Sequence, residues 1–179
     1  IIDPEEKKNI QNQEKVFSEE NYPKIDGSTA TLPLSEAFKA NFTGTDIKDV
    51  KVTHSKTHNS YVNLINGDTD LILVTYPSED EKKLAKEKNV ELEIVPIVKE
   101  AFVFFVNKEN TVDNLTLEQV QDIYSGKIKN WKDVGGENQK IIAYQRPENS
   151  GSQTGMMELV MKGKKMIDPV TETIAQSMA

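Results

Sequence analysis

Between residues 21 and 90 short apolar runs alternate with segments of helical periodicity, and each run passes into its helix through a small-residue or hydroxyl turn. Ile25-Asp26-Gly27 leads through Ser28-Thr29-Ala30-Thr31 to a helix carrying Leu34, Ala37, Phe38 and Phe42, closed by Gly44. Val50-Lys51-Val52-Thr53 alternates like a strand, and a helix with Tyr61, Val62, Leu64 and Ile65 follows, closed by Asn66-Gly67. Asp70 to Thr75 is a near-continuous apolar run, the mark of a strand covered on both faces. Ser78-Glu79-Asp80-Glu81 has the form of a capping box that opens a lysine-rich surface helix to Asn89. Strand, helix, strand, helix, strand, helix is the order of an α/β layer around a mostly parallel sheet.

The second half continues the pattern. Ala101-Phe102-Val103-Phe104-Phe105-Val106 is the most strand-like segment present, and Pro96 to Glu100 before it breaks the extended run where a hinge between two lobes belongs. Thr116-Leu117-Glu118-Gln119 is a second capping box, opening a helix that places Val120, Ile123 and Tyr124 on one face and stops at Gly126. Trp131, the sole tryptophan, reads as a core plug under a turn-rich connection. Ile141 to Tyr144 reads as a short buried strand, and Met156, Met157, Leu159, Val160 and Met161 recur at helical spacing up to Gly163. Asp168-Pro169 and the residues from Thr171 read as one more helix start.

Chemistry concentrates between that strand and that helix, in Tyr144 to Thr154. Ser150-Gly151-Ser152 can offer unpaired N–H groups, two hydroxyls and the positive end of a helix dipole. Arg146, the only arginine of the chain, brings a planar five-donor fork that matches an oxyanion bidentately, which lysine cannot do. The same residues also satisfy a plain serine N-cap with a surface arginine beside it.

Composition removes other classes. The net charge of -7, with its charges interleaved, argues against nucleic acid. Zero cysteines excludes disulfides, thiolate metal sites and cysteine nucleophiles. His54 and His58 are the only histidines, and their i, i+4 spacing makes at most half a metal site, so no metal and no cofactor are expected. No run approaches the length of a membrane span, and no signal peptide is visible. Catalysis is the weakest reading, because Asp and Glu lie mostly on helix faces and caps and neither Ser150 nor Ser152 has a base.

Lys24 to Thr31, Thr116 to Trp131 and Arg146 to Ser152, taken together and in this order, resemble the PstS-like phosphate-binding proteins of bacterial ABC importers. The resemblance implies a type II periplasmic-binding-protein fold, two α/β lobes joined by a hinge and closing on a dehydrated oxyanion. The implied organisation is a polar lead over residues 1–20, a first lobe over 21–97, a hinge near 96–100 and a second lobe over 98–179. The first lobe is incomplete without a return crossing, so the chain reads as incomplete at its C-terminus and open to self-association through unpaired strand edges.

Carried over by motif, the ligand-binding residues are Thr29, Ala30 and Thr57 from the first lobe and Arg146, Ser150, Gly151 and Ser152 from the second. Thr75 stands where the family has the aspartate that accepts a proton from hydrogen phosphate, and Lys56-Thr57-His58-Asn59 replaces a glycine-rich turn. The implied partners are an inorganic oxyanion, phosphate first, and ABC permease subunits. The implied location is extracytoplasmic, as a membrane-anchored lipoprotein or a secreted protein. A binding-protein-like domain that has lost phosphate selectivity and serves sensing or surface adhesion is the alternative, and Thr75 favours it.

Overall fold

The computed structural model describes residues 17–99 and 101–168. The polar lead through residue 16 and the helix start expected beyond Asp168 lie outside the described residues. The chain divides into two compact units. The first runs through Thr75 and takes in Glu81–Val90; the second holds Tyr76–Asp80 and the residues from Glu91 onward.

The first unit is built on two short strands, β1 (Ile25–Gly27) and β2 (Leu71–Leu73), paired in parallel with Ile25 opposite Leu71 and Gly27 opposite Leu73. Parallel pairing needs a long crossover. Here it carries a 3₁₀ turn (Thr29–Thr31), helix α1 (Leu32–Thr43) and helix α2 (Thr57–Asn66). Both helices stop at a glycine in the left-handed region, Gly44 (φ 67°) and Gly67 (φ 80°), as the sequence indicates. On α2 the buried residues Thr57, Ser60, Tyr61 and Ile65 recur every three to four positions and make one inward stripe. Val50, Leu73 and Ala85 complete the buried apolar set, Ala85 coming from α3 (Glu79–Glu87).

In the second unit α4 (Leu117–Tyr124) opens with the expected capping box in full. Gln119 N–H donates to Thr116 Oγ1 at 3.1 Å, and Thr116 N–H donates to Gln119 Oε1 at 2.8 Å. Its Val120 packs with Met156, Val160 and Met161 in a small core edged by Leu115, Tyr124 and Met166. The last helix, α5 (Gly151–Gly155), widens at once into a π-helical stretch over Met156–Met161. An i→i+5 ladder changes which residues share a face. Met156, Val160 and Met161 are therefore buried, whereas Met157 and Leu159, expected on the same apolar face, are exposed. Trp131 is half-buried at the start of a 3₁₀ turn (Trp131–Val134), with Gly136 against it: a Cβ on Gly136 would lie 3.1 Å from that of Trp131.

Three segments expected as strands join no sheet among the described residues, where β1 and β2 form the only one; Ile141 keeps a single backbone bond, its N–H donating to the Lys129 carbonyl at 2.9 Å beside an isolated antiparallel bridge between Asn130 and Lys140. Val50–Thr53, Ala101–Val106 and Ile141–Tyr144 have the residue types that suit a pleated surface, yet a strand also needs a neighbour to bond. Phe105 is 76 % exposed and Tyr144, expected inside, 54 %.

Gly27 carries a sharp packing constraint. A Cβ there would sit 2.6 Å from the Leu73 carbonyl oxygen and 2.8 Å from the His54 ring. The obstruction on one side is backbone, so it cannot rotate away. Gly27→Ala is expected to destabilise the first unit by about 2 kcal/mol or more, as overpacking in a closed site does. Urea unfolding followed by circular dichroism checks this, with Gly67→Ala, where space is open, as the comparison for strain alone.

Candidate functional site

The first unit gathers its candidate residues at the carboxyl end of the parallel pair, where ligands of α/β sheets bind. Thr29 and Ala30 follow β1 in the 3₁₀ turn and are exposed. First-turn N–H groups lack intrahelical acceptors, so these two are donors by position. The turn is fixed by Thr31, whose Oγ1 lies 2.6 Å from the Leu73 carbonyl and 3.0 Å from that of Ser28, and by Ser28 N–H donating to Leu73 O at 3.1 Å.

Thr57 is buried at the first position of α2, and the residue that caps it, Lys56, has φ 77° and ψ 162°. That conformation suits glycine, and for a lysine it costs about 1–3 kcal/mol. Ser60 holds it: its N–H donates to the Lys56 carbonyl at 2.9 Å, and its buried hydroxyl lies 2.8 Å from the same oxygen and 2.9 Å from the Gly27 carbonyl. The turn before α2 is thereby fastened to the end of β1.

The group that organises this end was not among the candidates. Asp26, buried within β1, has Oδ1 2.7 Å from the N–H groups of both Gly27 and Ser55, while its Oδ2 accepts from Ser55 Oγ at 2.5 Å and from Asn63 Nδ2 at 2.9 Å. Burial pushes this carboxyl up, but the bonds from Ser55 side chain and backbone, Asn63 and Gly27 together outweigh it and hold the pKa at about 2. An aspartate inside a strand signals such a network, because a buried carboxylate must be satisfied.

His54 belongs to the same scaffold. Its Nδ1 lies 2.7 Å from the Ser28 carbonyl, which can only accept, so Nδ1 donates; Nε2 sits 2.9 Å from Ser35 Oγ. With both nitrogens engaged, His54 is structural. His58 lies instead against Glu81, Nδ1 to Oε1 at 3.0 Å. Glu81, expected in a surface capping box, is only 1 % exposed.

Thr75 follows β2 and is half-buried, and its carbonyl accepts from the Tyr61 hydroxyl at 2.6 Å. Burial first, and the nearby Glu81 charge second, push the Tyr61 phenol far above its usual range, which keeps it a donor.

In the second unit Arg146, Ser150, Gly151 and Ser152 come together in one turn. Ser150 is the N-cap of α5, its Oγ accepting from Gln153 N–H at 3.2 Å, and Arg146 N–H donates to Gln153 Oε1 at 3.0 Å. Asn149 stands at φ 65° and its side chain donates to Asp80 Oδ2 at 2.9 Å. Arg146 Nε is buried and has no hydrogen-bond partner among the described residues. A buried guanidinium N–H left unmade costs about 1–3 kcal/mol or more, so this group calls for an acceptor that the described residues do not supply. Among the described residues no group of three His, Cys, Asp or Glu side chains could hold a metal, and no helix is long and apolar enough to cross a membrane.

A parallel strand pair with hydroxyls and first-turn N–H groups at its carboxyl end defines an α/β domain of the ligand-binding type. The chain belongs to the PBP superfamily, whose domain model matches residues 18–179. It is 36 % identical over 166 residues to the phosphate-binding protein PstS of Staphylococcus saprophyticus, covering 87 % of this chain and 51 % of that protein. PstS of Staphylococcus epidermidis is 33 % identical over 144 residues, 77 % of this chain and 44 % of that one. In fold the chain is similar to a Clostridium perfringens protein described as a phosphate ABC transporter substrate-binding protein and crystallised with bound phosphate. That match has a TM-score of 0.57 at 24 % identity and covers 83 % of this chain and 60 % of the other. The chain thus spans about half the length of the curated relatives it matches. The α/β binding-protein fold implied by the three motifs is the fold observed.

The Asp26 cluster has a measurable acid signature. Because the folded pKa is about 2 against an ordinary 3.8, its stabilisation is complete above about pH 4 and is lost as the pH falls through 2. The amount is about 2 kcal/mol. Asp26→Asn is expected to lower stability at pH 7 by at least that much and to flatten the acid limb of a pH series of urea unfolding curves.

Proposed function

We propose that this chain is the ligand-binding part of an extracytoplasmic solute-binding protein that captures an inorganic oxyanion, most readily phosphate, for an ABC importer. The observation that carries the reading is the buried, unpartnered Nε of Arg146 beside the Ser150 N-cap turn. An oxyanion supplies an acceptor that the described residues lack, and the planar fork and the turn's N–H groups suit its geometry. Gly151 and Ser152 complete this donor set, and Thr29, Ala30 and Thr57 are the donors proposed in the first unit. The names of the staphylococcal relatives support phosphate as the anion.

Binding and release need no catalytic group, which agrees with relatives named as binding proteins. Permease subunits are the proposed partners of the whole protein, and anchoring as a lipoprotein or secretion is its proposed location. The exposed apolar run Phe102–Val106 supports self-association as a further property of the isolated chain. One observation favours a second reading, a sensing or surface-adhesion domain: the acidic residue that the resemblance expects is Thr75.

Calorimetric titration with phosphate and with sulfate at moderate salt separates the two. The importer reading expects phosphate to bind in the micromolar range or tighter, and Arg146→Ala to weaken it at least about tenfold through loss of charge-assisted bonds. Binding of neither anion leaves sensing or adhesion as the better account.

A further inference from the structure

A closed ring of hydrogen bonds in the second unit sets the backbone of Arg146. Arg146 N–H donates to Gln153 Oε1 at 3.0 Å, Gln153 N–H to Ser150 Oγ at 3.2 Å, and Ser150 N–H to the Pro147 carbonyl at 3.2 Å. Pro147 follows Arg146 directly, so the ring returns to its start through the chain itself. Gln153 is the one member that lies outside the Arg146–Ser152 motif and outside the proposed donor set, and it makes two of the three bonds.

Its side chain acts where Arg146 keeps a freedom. A residue before proline is confined to extended conformations, a limit that Pro147 places on Arg146. What remains is the orientation of the Arg146 peptide, and the bond to Gln153 Oε1 fixes it. The Gln153 amide is oriented in its turn. Its Nε2 lies 3.5 Å from Gln145 Oε1 and 3.9 Å from Met166 Sδ, and the buried Gln145 donates through its own Nε2 to the Ile167 carbonyl at 2.8 Å. An amide carries its acceptor on one end only, so with Nε2 on that side the oxygen faces Arg146. The arginine stem therefore leaves the backbone in one direction, and its buried Nε meets no acceptor among the described residues. A long side chain held in place ahead of its ligand gives up less freedom on binding.

We infer that Gln153 is the positioning residue of the anion seat: it holds Arg146 beside the Ser150 turn, and the affinity for an inorganic oxyanion depends on it although it is not itself a ligand. The inference rests on the oxyanion reading above.

Arg146 is the single arginine of the chain, which makes its Nε–H a site-specific probe. In a chain labelled with ¹⁵N-arginine this resonance is expected to exchange slowly with water before any anion is added and to shift on addition of inorganic phosphate. Gln153→Met keeps the side-chain length and the backbone bond to Ser150 but removes the amide. It is expected to speed that exchange and to weaken phosphate binding about three- to tenfold by calorimetry, the cost of immobilising one long side chain. Gln153→Asn, whose amide falls one methylene short of Arg146, is expected to do the same. Gln121→Met removes a buried amide bond elsewhere in the unit, from Nε2 to the Val160 carbonyl at 2.7 Å, and is expected to lower stability in urea while leaving phosphate affinity unchanged. Fast Nε–H exchange in the unsubstituted chain, unaltered exchange and affinity in a folded Gln153 variant, or equal weakening by Gln121→Met overturns the inference and leaves the oxyanion reading standing. Failure of the unsubstituted chain to bind either phosphate or sulfate overturns both.

Discussion

The first unit depends on one ionised side chain. Asp26 sits in a strand only three residues long, too short to hold a sheet by its ladder alone. Its carboxylate gathers the loop at Ser55, the helix at Asn63 and its own strand end at Gly27. A buried charge is tolerable only when its lone pairs are filled, so these partners are fixed together or not at all. The placement of α2 against β1, and with it the position of Thr57, follows from that requirement.

The same logic sets where strain is allowed. Lys56 occupies a glycine-like backbone conformation, and Ser60 and Gly27 are the groups that hold the turn closed around it. Asp26, Ser55 and Asn63 brace the turn from one side and Ser60 from the other. A residue that enters an unfavourable conformation at the mouth of a helix is thus supported by the hydrogen-bonded cluster around Asp26 and Ser60.

What could be read from residues alone was local chemistry. The Thr116 capping box, the Ser150 N-cap and the glycine stops of α1 and α2 all depend on neighbours within about one helical turn, and all are present. Features decided by distant partners escaped. Phe102–Val106 has strand-like residues and no described strand to bond. Glu81 has the spelling of a surface cap, yet it is buried and bonds a histidine 23 positions away in sequence. The helical spacing that put Met157 and Leu159 on the buried face failed because the helix widens, which no apolar spacing reveals. Ser60 belongs to no motif, and Asp26 lies inside the Lys24–Thr31 motif without being a candidate there; the importance of both comes from what the fold brings to them.

The widened stretch Met156–Met161 has a further consequence, one of phase. An α-helix advances about 100° per residue, so a turn that accommodates one extra residue rotates all that follows by about that angle relative to an uninterrupted helix. The chain leaving Met161 through Lys162 and Gly163 is thereby aimed so that Met166 edges the small core and Ile167 N–H reaches the Tyr124 carbonyl at 3.0 Å. Deleting a single residue from this stretch would keep its composition and its length almost intact while turning those two contacts to a different side of the helix.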